Sequence, residues 1–500
     1  MPKVHILPSK NGEPTALVGS RYIHSSYNPR REAQRFFSQI DPPRGVVVVI
    51  GAGLGYLDQE IVTQAPHCRI LAMHLHPVCA QNVIHHSPQV ERWSPQTSES
   101  AASFLANRIT ERDVQGLQSI EWPASAGLWP DEAHIIHHAL VAIIRRLSGN
   151  ITTTAAFGLR WIENSLRNFS QTSLLIQPEK IHSPVVVTAS GPSLEKVLPH
   201  ILRHRSRSQL WALPSSLPAL MREGLTPDLV IATDPGTWAR WHHRHLTPEI
   251  PVAMPFNAAP LPPGNHQILT IHQGGWEEQS LLPPLWPKVA LPALGTVAAT
   301  AVALWKQIVE GPLFLAGLDL SWNGLSSHVR PHSFDGWLST FESRTTPRLT
   351  LQWERAQQFA PEQKNKKRTG AALRTYADWF NTLSGEDIQL LAPSKESPSS
   401  STLPIVEASC WAQNLAENAS IPLAVQNAPL NQRQRKSHIQ HVLQNWKSAL
   451  QNGEKENPVL KEILYAIAPS SALSTEEVHW HNARTKAQEA VNRWEHIYGR

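Results

Sequence analysis

The stretch that most limits what this chain can fold into is Val185–Glu195, which reads VVVTASGPSLE. Three consecutive valines predict a buried parallel strand, and the small residues after them predict a tight turn. The apolar residues from Leu194 to Leu202 then recur at the spacing of a helix. In an α/β sheet, the free backbone N–H groups between a strand and the following helix bind a phosphate. We therefore expect a nucleotide or phosphate site at this turn.

A second strand–turn–helix pattern, Gly45–Tyr56, reads GVVVVIGAGLGY. Together with the next apolar run, Arg69–Leu75, it predicts the opening βαβ unit of a Rossmann-like sheet. The glycines have only G-x-G-x-G spacing, and the second strand ends in His74 and His76 instead of the Asp or Glu that binds a ribose. We interpret this turn as mainly structural, and a dinucleotide or adenosylmethionine site is the alternative.

Length and composition indicate a globular protein of several domains. A chain of 500 residues suggests roughly two to four domains, and 41% hydrophobic with 17% charged residues is typical of packed cores. The formal net charge of +5 is too small to require a nucleic-acid partner. Two basic runs, at residues 364–368 and 433–436, are interpreted as solvated loops or helix faces.

The cysteines and the apolar runs favour a cytoplasmic protein. Cys68, Cys79 and Cys410 form no CxxC pair, so we expect no disulfide framework. The first residues lack the apolar core of a signal peptide. The longest apolar run, Val289–Trp305, contains proline and glycine, so we expect no membrane span.

Periodicity divides the chain into four predicted segments. These are a Rossmann-like domain at residues 1–130, a helical connector at 131–180, a central doubly wound α/β domain at 181–410 and a small helical domain at 411–500. The connector is expected to break at Gly149 and to begin a new helix near Thr154. The last segment shows no strand pattern.

The central domain carries polar residues where its predicted strands end. Asp234 follows the apolar strand LVIAT, and Gly317 and Asp319 follow the strand LFLA. Thr296 precedes a helix that begins with small residues, and His328 lies in the loop after Asp319. The carboxyl ends of parallel strands meet at the ligand crevice, so these residues are candidates for one site. For Asp234 the alternative is a role as the cap of the next helix.

Five motifs of the connector and the central domain support a family assignment. They read TTTAAFGLRWIENSLRNF, GPSLEKVLPHI, LPALMREGLTPDLVIATDPG, GTVAATAVALW and LFLAGLDLSWNGLSSH. In content and order they resemble the motility-associated factor (Maf) proteins, bacterial glycosyltransferases that modify flagellin, and the GAGLGY unit resembles the same family. The central domain of that family is similar to the CMP-dependent bacterial sialyltransferases.

The resemblance implies a donor, an acceptor and a set of residues. The donor is a nonulosonic acid of the pseudaminic, legionaminic or sialic acid type carried on CMP, and the acceptor is a serine or threonine of flagellin. We expect neither a metal nor a further cofactor, because the sequence shows no metal-ligand cluster and a CMP leaving group carries only one phosphate. The matching nucleotide-binding positions are Gly191, Pro192, Ser193, Ser215, Thr296 and Gly317, and the matching catalytic positions are Asp234, Asp319 and His328.

A mechanism follows from these residue types. The amides of Gly191 to Ser193, the helix dipole and Thr296 would stabilise the charge on the leaving CMP phosphate. His328 is the first candidate for the base that deprotonates the acceptor hydroxyl, because an unperturbed histidine titrates near neutral pH. Asp319 or Asp234 is the second candidate.

Two other functions stay open on the sequence. A similar domain occurs in archaeal pterin pyrophosphokinases, and an ATP-dependent enzyme of that class would need Mg²⁺, for which Asp234 and Asp319 are the candidate ligands. A non-catalytic protein that binds flagellin or a sugar is the other alternative. The long N-terminal unit and the connector favour the glycosyltransferase.

Overall fold

The computed structural model describes residues 3–364, 367–383, 385, 387–395, 401–413, 415, 423–474 and 476–498. The chain forms two compact units. The first consists of Met1–Ala156 and Ile463–Ala487, and the second of Phe157–Glu462 and Gln488–Arg500. The predicted C-terminal segment, residues 411–500, is thus divided between the two units. Among the helices of the described residues, none is both long and apolar enough to cross a bilayer.

Short strands and helices alternate in the first unit. Its strands are β1 (Val4–Pro8), β2 (Pro14–Val18), β3 (Arg21–Tyr22), β4 (Val46–Ile50), β5 (Arg69–Met73), β6 (Val90–Trp93) and β7 (Gln118–Glu121). Its helices include α1 (Pro29–Phe37), α2 (Tyr56–Gln64), α3 (Pro77–Gln81), α4 (Ala101–Arg108) and α5 (Pro123–Ala126). A parallel sheet has the order β6-β5-β4-β7, and β1, β2 and β3 form an antiparallel sheet. This order is that of a Rossmann half, so the predicted Rossmann-like fold is confirmed.

The glycine turn after β4 is filled by the protein's own side chains. A Cβ at Gly53 would overlap the imidazole of His24, and the Leu54 N–H donates to His24 Nε2 at 2.8 Å. His74 Nδ1 lies 3.0 Å from the carbonyl oxygen of Gly53. Burial lowers the pKa of His24 to about 3, so the ring is neutral and its Nε2 accepts. These contacts support the structural interpretation of the turn.

One continuous helix, α6 (Pro130–Gln171), replaces the predicted broken connector. The predicted break at Gly149 and the predicted helix start at Thr154 are wrong, because a single glycine costs a helix only about 1 kcal/mol. The hydroxyls of Thr152 and Thr153 donate to the carbonyl oxygens of Ser148 and Gly149, four residues earlier. The threonines therefore continue the helix instead of starting one.

A large, mostly parallel sheet forms the centre of the second unit. Its strands are β8 (Leu174–Ile176), β9 (Val185–Thr188), β10 (Gln209–Ala212), β11 (Leu229–Ile231), β12 (Val252–Met254), β13 (Gln267–His272), β14 (Val289–Ala290), β15 (Leu313–Ala316), β19 (Ile388–Ala392), β20 (Ile405–Glu407) and β21 (Val425–Asn427), and a small separate sheet contains β16 (Trp322–Asn323), β17 (Glu362–Lys364) and β18 (Lys367–Thr369). The helices of this unit that follow α6 are α7 (Leu194–Arg203), α8 (Leu217–Arg222), α9 (Ala239–His243), α10 (Trp276–Leu281), α11 (Val297–Ile308), α12 (Asp335–Ser339), α13 (Arg348–Phe359), α14 (Ala371–Asn381) and α15 (Gln432–Asn452). Further along the chain, α17 (Pro469–Ala472) belongs to the first unit, and α16 (Pro458–Ile467) and α18 (Glu477–Tyr498) have residues in both units.

The order of the strands creates a switch point between β9 and β15. The large sheet runs β20-β19-β15-β9-β10-β11-β12-β13-β8-β21, with β14 also paired to β13. From β9 the chain adds strands outward on one side as far as β13, and β15 then pairs with the other side of β9. This is the doubly wound sheet that the sequence predicted, and ligands bind such sheets at the switch point.

The described part of the C-terminal segment is mainly helical and also contains a short strand. In α15 the apolar residues Ile439, Leu443 and Trp446 are buried, and the helix ends at Gly453 as predicted. The strand β21 pairs antiparallel with β8 at the sheet edge, which the sequence did not predict. A three-residue edge strand has too few positions to show a period of two.

Two asparagines of α6, Asn164 and Asn168, donate hydrogen bonds to backbone oxygens of the loop that follows β12. Asn168 Nδ2 donates to the buried carbonyl oxygens of Phe256 and Ala258 at 2.8 and 2.9 Å. Because Asn168→Ala leaves both oxygens without a donor, we expect the free energy of unfolding to fall by about 2–4 kcal/mol. Asn150→Ala, on an exposed face of the same helix, is the control and should change it by less than about 0.5 kcal/mol. Equal midpoints of urea unfolding for the two variants would contradict this prediction.

Candidate active site

The candidate site is a cleft at the switch point of the large sheet. A cavity of about 350 Å³ lies where β9 and β15 end. Eight of its lining residues lie in the segments that directly follow these two strands, and the first two residues of α11 and three residues of α14 also line it. Two glycines, Gly191 and Gly317, line the cleft. The lining residues with polar side chains are Ser190, Ser215, Thr296, Asp319, Ser321, Ser327, His328 and Tyr376, and the apolar ones include Leu213, Val297, Trp322, Leu373 and Phe380.

The turn after β9 is locked against the turn after β15. The Gly191 N–H donates to the carbonyl oxygen of Gly317 at 2.8 Å, and the Ser193 N–H donates to Asp319 Oδ2 at 2.9 Å. Gly317 has a φ of +69°, and a Cβ there would lie 2.5 Å from the carbonyl oxygen of Ala189. Both glycines are therefore required by the close approach of the two turns.

The predicted phosphate cradle at this turn needs a correction. The amides of Gly191 and Ser193 already have acceptors within the protein, and Pro192 has no N–H group. Pro192 and Ser193 are not among the residues that line the cleft. The sequence pattern predicted the strand, the turn and the helix. It did not predict that acceptors in the turn after β15 bind both N–H groups.

The N-terminus of α11 offers the cleft a better anion-binding element. Thr296 caps the helix, since its hydroxyl oxygen accepts the Ala299 N–H at 3.0 Å. Thr296, Val297 and Ala298 all line the cleft. The first amides of a helix have no carbonyl partner within it, and the helix dipole is positive at this end. The Thr296 hydroxyl still has its hydrogen to donate while it accepts the capping bond.

Lys367, which its basic run predicted to be solvated, lies near Asp319. Lys367 is half-buried on β18; burial lowers its pKa, and the negative charge of Asp319 opposes that shift. Arg368 is only 6% exposed, and its Nε donates to the carbonyl oxygen of Ala360. The predicted solvated face is thus wrong for Arg368, which is buried on a strand that pairs with β16 and β17, whereas Lys367 is partly exposed. Lys366 lies outside the described residues.

His328 is held at the cleft by its neighbours. The Val329 N–H donates to the carbonyl oxygen of Ser190 at 2.8 Å, which ties this loop to the turn after β9. His328 Nδ1 lies 2.8 Å from Ser327 Oγ, and the ring stacks on His332 with centroids 4.1 Å apart.

The surroundings of His328 move its pKa below the ordinary histidine value. Burial, and then the positive charge of Arg355, lower its pKa to about 4. The same cause, together with the charges of neighbouring histidines, lowers the pKa of His332 to about 2. The His328 ring is therefore neutral at physiological pH and keeps one nitrogen as an acceptor.

Asp234 lies outside the cleft. It is exposed, and its Oδ1 accepts the Gly236 N–H at 2.7 Å in the turn after β11. It does not line the cleft, since β10 lies between β11 and β9 and two strand spacings amount to roughly 10 Å. Its side chain stabilises the turn; α9, which follows, has no side-chain cap. Ser215, in the short turn after β10, does line the cleft.

Comparisons with known proteins agree with this architecture. Residues 160–324 match a family model described as 6-hydroxymethylpterin diphosphokinase MptE-like. A protein of Treponema pallidum (strain Nichols), described as uncharacterized, is 28% identical over 300 residues, which cover 59% of this chain and 64% of that protein. A second protein of the same organism is 29% identical over 82 residues, covering 16% of this chain and 39% of that protein. The chain thus spans less than two thirds of the length of these relatives.

A solved structure matches almost the whole chain. It is described as a MAf glycosyltransferase from Magnetospirillum magneticum AMB-1, and it covers 98% of this chain and 91% of its own, with a TM-score of 0.61 and 11% sequence identity. The chain therefore has the fold of a Maf glycosyltransferase, and the likeness predicted from the sequence motifs is confirmed at the level of the fold.

Proposed function

We propose that this chain is a glycosyltransferase that moves a nonulosonic acid from a CMP-sugar to a serine or threonine of flagellin in the cytoplasm. One observation carries the proposal: six of the nine residues expected from the sequence line a single cleft at the switch point, namely Gly191, Ser215, Thr296, Gly317, Asp319 and His328. The fold shared with a Maf glycosyltransferase over 98% of the chain supports it. Donor and acceptor come from the resemblance of the sequence motifs.

The phosphate of the donor is placed at the N-terminus of α11. There the Thr296 hydroxyl and the first amides of the helix stabilise the negative charge that grows on the leaving CMP. Lys367, on the side of Asp319, adds a positive charge that offsets the carboxylate. One phosphate is neutralised by these groups, so the proposal assigns no metal to the site.

His328 acts as the base in this proposal. With Nδ1 protonated and donating to Ser327 Oγ, Nε2 is the atom that accepts the proton of the acceptor hydroxyl. The hydroxyl oxygen bonds to the anomeric carbon as the bond from that carbon to the phosphate oxygen breaks, and the electron pair leaves with CMP. An anionic donor beside the ring raises the pKa of His328 and so makes it a stronger base in the complex.

The proposal is tested by incubating the purified protein with flagellin and with CMP-activated pseudaminic, legionaminic and sialic acids in turn. We expect one of these donors to add the mass of its sugar to flagellin and to release an equal amount of CMP. An unchanged flagellin mass with all three donors would contradict the proposal. Binding of donor or flagellin without transfer would favour the non-catalytic alternative.

Asp319 is expected to position the turn after β9 rather than to act as the base, because its carboxylate accepts the Ser193 N–H. Asp319→Asn keeps an oxygen acceptor for this bond and Asp319→Ala removes it. We expect kcat to fall less than about 10-fold for asparagine and about 10²-fold or more for alanine, as a positioning role requires. If the carboxylate were the base, both variants would lose activity equally. The pH profile of the asparagine variant should keep the shape of the wild type.

A pterin pyrophosphokinase is the second candidate, because the matching family model carries that description. Such an enzyme would hold Mg²⁺ between carboxylates. Among the described residues no group of three or more His, Cys, Asp or Glu side chains is arranged for a metal ion. Asp234 and Asp319 are each bound to a different backbone amide. Formation of AMP from ATP with a hydroxymethylpterin and Mg²⁺, together with no transfer to flagellin, would favour this candidate.

A further inference from the structure

The positively charged side chain of Arg355 lies near His328. Arg355 is half-buried on α13, and no hydrogen bond or ion pair joins its guanidinium to another of the described residues. Burial lowers its pKa, but a guanidinium stays charged at any physiological pH. Arg348 on the same helix differs, since it pairs with Asp335 and Glu342. An unpaired, half-buried charge is unfavourable unless an anion binds to it.

Arg355 faces a small cavity that adjoins the candidate active site. This cavity has a volume of about 40 Å³, and Trp322, Ser327 and His328 line both it and the cleft. The volume is large enough for a group of one or two water-sized units, such as a carboxylate. The carboxylate of Asp335 also lines the cavity, but its Oδ2 accepts the His332 N–H and its Oδ1 lies 3.8 Å from Arg348. Arg355 is left to bind a ligand.

An apolar groove begins at the other side of Arg355. Its volume is about 660 Å³, and Phe334, Leu338 and Arg355 line both the groove and the small cavity. The groove is otherwise lined mainly by aromatic side chains, which are Trp238, Trp337, Phe341 and Phe359. The ligand that fits this neighbourhood is therefore an organic acid with an apolar substituent next to its carboxylate.

We propose that Arg355 binds the carboxylate of the acidic donor sugar and thereby selects acidic over neutral donors. This inference rests on the proposed function. The planar guanidinium binds a carboxylate through two parallel N–H···O bonds. In a nonulosonate donor the carboxylate and the phosphate oxygen are bonded to the same anomeric carbon. That carbon then lies between the N-terminus of α11 and Arg355, next to His328, and the acyl substituents of the sugar pack on Phe334 and Leu338. The carboxylate also supplies the negative charge that raises the pKa of His328.

Equilibrium binding tests this inference without a need for transfer. CMP, a CMP-nonulosonate and the methyl ester of that CMP-nonulosonate are titrated into the wild type and into Arg355→Gln. For the wild type we expect the acid to bind about 30-fold more tightly than the ester, as a charge-assisted pair worth about 2 kcal/mol implies. For Arg355→Gln we expect this ratio to fall to within twofold of one, with the affinity for CMP alone unchanged.

Three control measurements distinguish failure of the Arg355 inference from failure of the proposed glycosyltransferase function. Arg374→Gln removes an exposed arginine of α14 that pairs with Glu362, and it should keep the wild-type ratio. Arg355→Lys keeps the charge but not the two parallel bonds, so its ratio should lie between the others. An acid-to-ester ratio that stays at the wild-type value in Arg355→Gln overturns the inference, and so does a change only in the KM for flagellin. Failure of the wild type to bind CMP or any CMP-sugar overturns the proposed function and the inference with it.

Discussion

Gly191→Ala is expected to lower the free energy of unfolding by roughly 3 kcal/mol or more and to abolish sugar transfer. The added Cβ would overlap both Asp319 Oδ2 and the carbonyl oxygen of Gly317. Neither atom is free to move away, because Gly317 O accepts the Gly191 N–H and Asp319 Oδ2 accepts the Ser193 N–H. The substitution must therefore separate the two turns that form one wall of the cleft.

Thermal unfolding and the flagellin mass assay measure this effect. Gly295→Ala is the matched control, because it lies directly before Thr296 and nothing stands within 4 Å of its added Cβ. We expect the control to change the free energy of unfolding by less than about 0.5 kcal/mol. A Gly191→Ala protein as stable and as active as Gly295→Ala would show that the two turns are not held together as described.

His328→Gln is expected to reduce kcat about 10²–10⁴-fold with little change in the affinity for the donor. Glutamine keeps a polar group of similar reach but cannot take the proton of the acceptor hydroxyl. His182→Gln is the control, since this histidine has a side chain 67% exposed and pairs with Glu310. Equal kcat values for the two variants would exclude His328 as the base.

The pH dependence gives a second test of His328. A base works when it is deprotonated, so activity is lost as the pH falls through its pKa. Because burial and Arg355 lower the pKa of His328 to about 4, we expect kcat/KM, which reports the free enzyme, to stay level from about pH 8 to pH 5. A histidine at its ordinary pKa of about 6.5 would lose half of the activity at that pH. A half-loss near pH 6.5 in the wild type would contradict the lowered pKa of His328. Arg355→Gln removes a positive charge that lowers this pKa, so its half-loss should lie at a higher pH than that of the wild type.

Both α/β sheets were predictable because their signals are local. The consecutive valines of β4 and β9 predict buried strands from the local sequence alone, and the glycines that follow them indicate the turns. The strand-end position of Asp319 and the cap position of Thr296 were also predictable, since both follow from the order of strand, turn and helix. Where the local signals were weak, at Gly149 and at β21, the prediction failed.

The sequence by itself thus determined the elements, their order and the edge of the sheet at which a ligand binds. Only the tertiary structure decided which groups at that edge are available to a ligand. Ser193 and Asp319 are 126 positions apart in the chain, and no local pattern predicts that the carboxylate occupies the amide. The same holds for Arg355: that no described side chain pairs with it depends on the positions of side chains from distant segments. Hydrogen-bond and charge partners are set by three-dimensional distances, whereas periodicity depends only on neighbouring positions in the chain. The available groups of the site therefore could not be predicted without the tertiary structure.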